Sequence, residues 1–312
     1  MVSLIMLVIG FALLVWGADK FVAGAAALAQ RLGVSALLIG LTIVAFGTSA
    51  PELAVSVTAA LKGANEIAVG NVLGSNLFNL LMVAGLSAVV CPLIINQTLL
   101  QRDWPLSIAA TVALFFMLRM GGGLSRIDGV ILLIAFAAVI ASQITSALRE
   151  KNYSSSAAAQ NETSDMSFFL ILMNIILGMA CIVIGGQLSV DGASGLARLF
   201  GWSETLIGLT IVAFGTSLPE LVTSIAAARR GETDIAMGNV IGSNLFNILL
   251  ILGTSAAITP ISVQPTAAID CLTLIIVSII FYLPTRKGKL GRLPGLAMVC
   301  SYIAYTVYLV LR

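Results

Sequence analysis

The sequence predicts an all-α membrane protein of about ten transmembrane helices, arranged as two inverted five-helix repeats. Three observations lead there. The 312 residues are 59% hydrophobic and only 10% charged, with a mean hydropathy of +1.07, whereas soluble chains average about 45–50% apolar and about 25% charged residues. Apolar runs near the roughly 20 residues needed to cross a bilayer recur along the whole chain. Residues 35–85 align without gaps to 203–253 at a constant offset of 168, and 33 of the 51 positions are identical. This composition excludes an ordinary soluble enzyme and a disordered chain. A net charge of +2 argues against a nucleic-acid-binding surface.

Taken in order, the apolar runs place spans near 2–18, 35–61, 66–90, 104–119 and 127–147, then near 167–190, 203–228, 234–258, 267–284 and 292–311. The first run has no basic leader and no small-residue cleavage site before Asp19, so it reads as a retained span. Residues 1–148 form the first repeat, 149–166 a short polar linker, and 167–312 the second repeat. Five spans separate equivalent points, and an odd number turns the second copy upside down, as in the inverted duplications of secondary transporters. With the N-terminus outside, 11 of the 16 Lys and Arg residues fall in cytoplasmic loops and 5 outside. That asymmetry favours both termini outside. Trp16, Trp104 and Trp202 fall near span ends, where interfacial anchoring is expected. The four cysteines lie far apart and read as apolar fillers.

Two acids lie inside otherwise apolar spans: Glu52 in Phe46-Gly47-Thr48-Ser49-Ala50-Pro51-Glu52, and Glu220 in Phe214-Gly215-Thr216-Ser217-Leu218-Pro219-Glu220. A charge at the bilayer centre costs at least about 2.5–3.5 kcal/mol, so such a residue marks a functional site by default. Pro51 has no N–H and crowds the carbonyl of Gly47, so the helix should loosen over about 45–51 and free backbone carbonyls. Thr48 lies one turn before Glu52, Ser49 beside it and Ser56 one turn after; Thr216, Ser217 and Ser224 repeat the set. Carboxylate, hydroxyl and carbonyl oxygens together are what a hard cation binds.

The next span adds a second motif. Gly70-Asn71-Val72-Leu73-Gly74-Ser75-Asn76-Leu77-Phe78-Asn79 recurs as Gly238-Asn239-Val240-Ile241-Gly242-Ser243-Asn244-Leu245-Phe246-Asn247. Its glycines read as helix-contact points. Ser75, Asn79, Ser243 and Asn247 read as ligand or pathway groups. Asn71, Asn76, Asn239 and Asn244 are open between packing and binding. Glu66, Asp103 and Asp234 lie near span starts and read as structural.

These paired motifs resemble the two alpha-repeats of the cation/calcium antiporter superfamily, and most closely its prokaryotic sodium/calcium exchangers. The resemblance covers essentially the whole chain. It implies calcium exchanged for sodium by alternating access, with calcium between Glu52 and Glu220, assisted by Thr48 and Thr216. It implies sodium sites that share the glutamates and add Ser49, Ser75, Ser217, Ser243 and the carbonyls of Ala45 and Ala213. Asn79 and Asn247 would line the centre, and spans one and six would be the sliding pair. Some relatives carry Asp at these two Asn positions, including potassium-dependent ones, so neutral amides argue against potassium co-transport. The large regulatory loop of animal exchangers is absent from the sequence.

The expected function is therefore an antiporter of the plasma membrane, with calcium and sodium as transported ions, no cofactor, no nucleic acid and no obligate protein partner beside the lipid bilayer. The alternative is a proton/calcium antiporter, in which the two carboxyls release protons as calcium binds. An intramembrane enzyme is disfavoured because the chain has no His for a Ser–His pair and no paired midplane Asp. A passive cation channel is the remaining competitor.

Overall fold

The fold was obtained as a computed structural model, which describes residues 2–63, 65–156, 166–202, 211 and 213–311. Half of the expected linker, 157–165, and the start of the expected seventh span, 203–210, lie outside the described residues. The protein is an all-α membrane protein. Among the described residues, seven helices are long and apolar enough to cross a membrane, or eight when one bent pair counts as a span.

Helices α1 (Val2–Leu32) and α7 (Phe168–Leu199) have 31 and 32 residues, longer than the expected 2–18 and 167–190. The hydropathy signal fades at Asp19-Lys20, but the Ala-rich stretch that follows has no Pro, its Gly24 is held against the partner helix, and the helix ends only before Gly33, at φ 63°. The two helices run antiparallel along a seam of glycines seven residues apart. A Cβ on Gly10 would lie 2.8 Å from the Gly185 carbonyl, one on Gly17 2.8 Å from that of Gly178, and one on Gly24 3.1 Å from that of Ile171. Only glycine permits so close an approach of two backbones in lipid, where packing rather than the hydrophobic effect holds helices together.

Helix α2 (Ala36–Thr48) starts at Ser35, whose hydroxyl accepts from Leu38 N at 3.3 Å, and has a π-helical middle, Gly40–Val44. It turns by 50° at Ser49 into α3 (Ala50–Leu61). Helix α4 begins as Asn65–Phe78, passes through π-helical Asn79–Val83 and ends as Ala84–Val90. After strand β1 (Leu93–Ile94), α5 consists of π-helical Leu99–Asp103 and α-helical Trp104–Gly121; strand β2 (Gly123–Leu124) and α6 (Arg126–Ser156) follow. Helix α6 runs past the expected end of the first repeat, because Arg149-Glu150-Lys151 are good helix formers and no Gly or Pro interrupts them.

In the second half, the short α8 (Ala213–Gly215) leads into α9 (Leu218–Arg229). Helix α10 comprises Thr233–Leu245, π-helical Phe246–Leu252 and Gly253–Ile258. Strand β3 (Ile261–Ser262), α11 (Pro265–Thr285), strand β4 (Lys289–Leu290) and α12 (Arg292–Leu311) complete the chain. The halves interlock: β1 pairs with β4 and β2 with β3, both antiparallel. Gly85 of α4 abuts Gly295 of α12, and Gly253 of α10 packs on Leu132 and Leu133 of α6, beside Gly129. Helices α4 and α10, which carry the Asn-rich motif, are the most enclosed.

One further expectation fails. Trp104 is 1% exposed and packs edge-on against Tyr282, so it is a core residue, whereas Trp16 and Trp202 are each 45% exposed. Asp103, near a span start and expected to be structural, is buried. It accepts from Arg102 Nε at 3.0 Å and Nη2 at 3.1 Å, and from Gln143 Nε2 at 3.2 Å. A helix-start position in the sequence cannot show that a partner helix will close over it.

Candidate functional site

The 50° turn at Ser49 answers the expected loosening near Pro51, but it is narrower than 45–51. Residues 45–48 remain helical, and the break is confined to Ser49, at φ −82° and ψ 6°. Pro51 occupies the first turn of α3, where its missing N–H costs no helical bond. Gly47 has a second reason to be glycine: a Cβ there would lie 2.9 Å from Met179 Sδ of α7 and 3.1 Å from Phe21 Cζ of α1. The long helix pair thus rests directly on the break.

Glu52 sits in the first turn of α3 and Glu220 in the first turn of α9, both fully buried. Their hydrogen bonds are reciprocal. Ser49 Oγ donates to Glu220 Oε1 at 3.0 Å, and Ser217 Oγ donates to Glu52 Oε1 at 3.0 Å. Each half therefore holds the other half's carboxylate. Ser217 Oγ is also 3.0 Å from Ser75 Oγ, which brings α4 to the same point. Thr216 lies beside Glu52 and Thr48 beside Glu220. The Thr48 hydroxyl is best placed to donate to Asn239 Oδ1 at 2.9 Å, whereas Thr216 Oγ1 makes no bond of good geometry.

A bracing layer surrounds this centre. Asn71 Nδ2 donates to the Glu52 carbonyl at 3.4 Å and to Ser56 Oγ at 3.0 Å; Asn239 Nδ2 does the same for the Glu220 carbonyl at 3.3 Å and Ser224 Oγ at 2.9 Å. Asn76 Nδ2 and Asn244 Nδ2 donate to each other's backbone carbonyls at 3.2 and 3.3 Å, tying α4 to α10. Asn71, Asn76 and Asn239 are thereby packing and positioning groups, a distinction their sequence left open, whereas Asn244 also keeps a buried Oδ1 without a partner. Gly238 and Gly242 behave as contact points against Gly40 and Leu41 of α2. The equivalent partners of Gly70 and Gly74 fall largely outside the described residues.

Buried polar atoms without a partner are costly, at about 1–3 kcal/mol each. Among the described residues half of the fourteen such side-chain atoms belong to the predicted ligands. Glu52 Oε2, Glu220 Oε2, Asn79 Oδ1, Asn247 Oδ1, Ser243 Oγ and Thr216 Oγ1 are all buried acceptors with no hydrogen-bond partner. Asn247 spends its amide on Asn76 Oδ1, at 2.9 Å, which leaves its oxygen free. Asn79 and Asn247 both lie in π-helical stretches, which often mark functional sites because the widened turn redirects side chains. Among the described residues no three His, Cys, Asp or Glu side chains form a cluster, and no basic side chain pairs with either glutamate. The set is two carboxylates among neutral oxygens, the donor chemistry of a hard cation. The Ala45 carbonyl already accepts from Ser49 N at 3.0 Å, so it can serve an ion only by sharing or exchanging a bond. The side chain of Ala213 lies outside what is described.

The sequence profile described as sodium/calcium exchanger protein matches residues 2–145 and 170–311. The chain is 35% identical to the sodium/calcium exchanger MaX1 of Methanosarcina acetivorans, over 99% of this chain and 98% of that protein. It is 37% identical to the putative antiporter CaxA of Alkalimonas amylolytica, over 98% of each. Its fold superimposes on the sodium-calcium exchanger NCX_Mj, in crystals soaked with sodium and strontium, with a TM-score of 0.85, 33% identity and 97% coverage of both chains. A match across both halves and near-complete mutual coverage leave one assignment: the chain belongs to the sodium/calcium exchanger family, a membrane antiporter family within the cation/calcium antiporter superfamily.

Proposed function

We propose that the protein exchanges calcium for sodium across the cell membrane by alternating access, with calcium held between Glu52 and Glu220. The observation that carries this reading is the reciprocal pair Ser49–Glu220 and Ser217–Glu52, which leaves one oxygen of each carboxylate without a partner. Two ionised carboxylates buried together repel each other and have lost their water. One divalent ion neutralises both. Several sodium ions achieve the same on overlapping oxygens: Ser49, Ser75, Ser217, Ser243 and the carbonyls of Ala45 and Ala213. Asn79 and Asn247 add neutral oxygens at the centre, so the site keeps two formal negatives. An empty site resists occlusion, and each crossing therefore needs one load or the other; that makes the protein an antiporter rather than a leak.

The reading extends to ten spans in two inverted repeats, with both termini outside. Its support is the antiparallel course of α1 and α7, whose seam glycines at 10, 17 and 24 recur at 178, 185 and 192 with the same offset of 168 as the motifs. Replacing Glu52 or Glu220 by Gln keeps the shape and removes one charge. Losing one partner of a buried pair costs about 3–5 kcal/mol, so calcium uptake at limiting calcium should fall at least about a hundredfold while the protein still inserts. Near-normal uptake by both variants into sodium-loaded vesicles would overturn the assignment.

A further inference from the structure

Away from the ion site, a groove of about 740 Å³ runs between α1 and α9. Its wall is apolar along Phe11, Val15 and Trp16, and it ends at Asp19, Arg229 and Arg230. Arg230 pairs with Asp19, Nη2 to Oδ1 at 2.6 Å, and so ties the two helices together. Arg229 is exposed and makes no ion pair among the described residues. Lys20 Nζ stands 5.8 Å from the centre of the Trp16 ring and adds a second cation at the same end. We propose that this groove binds one anionic phospholipid, its phosphate at Arg229 and Lys20 and an acyl chain along Phe11, Val15 and Trp16.

Depth, charge and symmetry support the occupant. Arg229 lies nine residues beyond Glu220 on one helix, about 13 Å further along its axis. From a midplane glutamate that reaches the edge of a hydrocarbon layer about 30 Å thick, where a headgroup phosphate sits. From Phe11 to Asp19, α1 rises about 12 Å, a length suited to much of an acyl chain. The loop charges place this end in the cytoplasm, facing the leaflet that carries anionic lipid. The duplication supplies a control within the molecule. At the offset of 168, Trp16, Asp19 and Lys20 correspond to Ile184, Gln187 and Leu188, and Arg229-Arg230 to Leu61-Lys62. The backbone plan is repeated, yet only one copy collects three basic residues. The cytoplasmic bias of basic residues favours that difference, and an anionic headgroup on that side would use it.

Trp16 is the reporter. In a Trp202→Phe background the remaining Trp104 is 1% exposed and beyond the reach of lipid. The full-length protein is reconstituted in phosphatidylcholine vesicles in which an equal fraction of lipid is brominated phosphatidylglycerol or brominated phosphatidylcholine. Brominated phosphatidylglycerol should quench Trp16 preferentially. Arg229→Gln, which spares the Asp19–Arg230 pair, should lower that preference about fivefold, and Lys62→Gln on the twin groove should leave it unchanged. Equal quenching by the two lipids would overturn the proposal. So would a preference that survives Arg229→Gln combined with Lys20→Gln. An equal loss on Arg286→Gln, elsewhere on the same predicted face, would mean diffuse attraction rather than a site. Abolition by millimolar inorganic phosphate would assign the arginine to a free anion. None of these readings requires transport, so the outcome is separate from the ion assignment.

Discussion

Asn71 and Asn239 occupy equivalent positions, yet the structure gives them unequal work. Asn239 is fully buried and makes three bonds: two from its amide, to the Glu220 carbonyl and Ser224, and one accepted from Thr48. Asn71 is half-buried and makes two, because Thr216 does not reach it. Side-chain hydrogen bonds between membrane helices average about 0.6 kcal/mol and reach about 1.7. Asn239→Ala loses three of them and strands groups deep in the protein, for an expected cost of about 2–3 kcal/mol; Asn71→Ala should cost about 1. The difference resides in the Thr48 contact. A double-mutant cycle of Thr48→Val with Asn239→Ala should therefore give a coupling of about 0.6 kcal/mol or more, while Thr216→Val with Asn71→Ala should be additive. Reversible unfolding in mixed detergent micelles reads both. Equal costs for the two Asn variants, or no coupling for Thr48 with Asn239, would refute the reasoning.

Other perturbations follow from the same geometry. Gly178→Val drives a side chain into the backbone of α1, where a Cβ alone would lie 2.6 Å from Phe21 N; it should lower the unfolding midpoint sharply and abolish exchange, whereas Gly186→Ala, whose nearest neighbour is 3.7 Å away, should be tolerated. Asp103→Leu leaves Arg102 and Gln143 without their acceptor and should cost about 2–3 kcal/mol in the same unfolding assay, with the calcium dependence of transport unchanged. Glu232, in the loop before α10, has its carboxyl raised by burial and by the nearby Asp234, against the opposing pull of Arg230. An acid raised in the folded state destabilises as pH climbs above its ordinary value. Glu232→Gln should accordingly raise thermal stability at neutral pH, and the gain should vanish below about pH 4.

Most of the candidate site was legible in the sequence because apolar surroundings make every polar residue conspicuous. Glu52, Glu220 and their flanks stood out twice, and Ser49, Ser217 and Ser75 came with them; all five meet in one hydrogen-bonded centre. The division of labour among the asparagines was not legible. An Asn in a span announces that it needs partners, but only packing decides whether those are an ion, as the free oxygens of Asn79 and Asn247 suit, or a neighbouring carbonyl, as for Asn71 and Asn239. The π-helical turns under Asn79 and Asn247 have no single-residue signature either. The lengths of α1 and α7 were misjudged because hydropathy marks the lipid-facing stretch, and helix continues beyond it wherever nothing stops it. The burial of Trp104 is not legible because it depends on an element distant in sequence, at Tyr282.

The central claim is that calcium and sodium compete for Glu52 and Glu220 on opposite strokes of one cycle. It is tested most directly by following calcium-45 uptake into vesicles loaded with sodium and diluted into sodium-free medium, beside a matched series carrying only a pH gradient. The account predicts uptake that requires internal sodium and ceases when the sodium gradient is collapsed. Uptake driven by the pH gradient alone, with sodium absent on both sides, would contradict it.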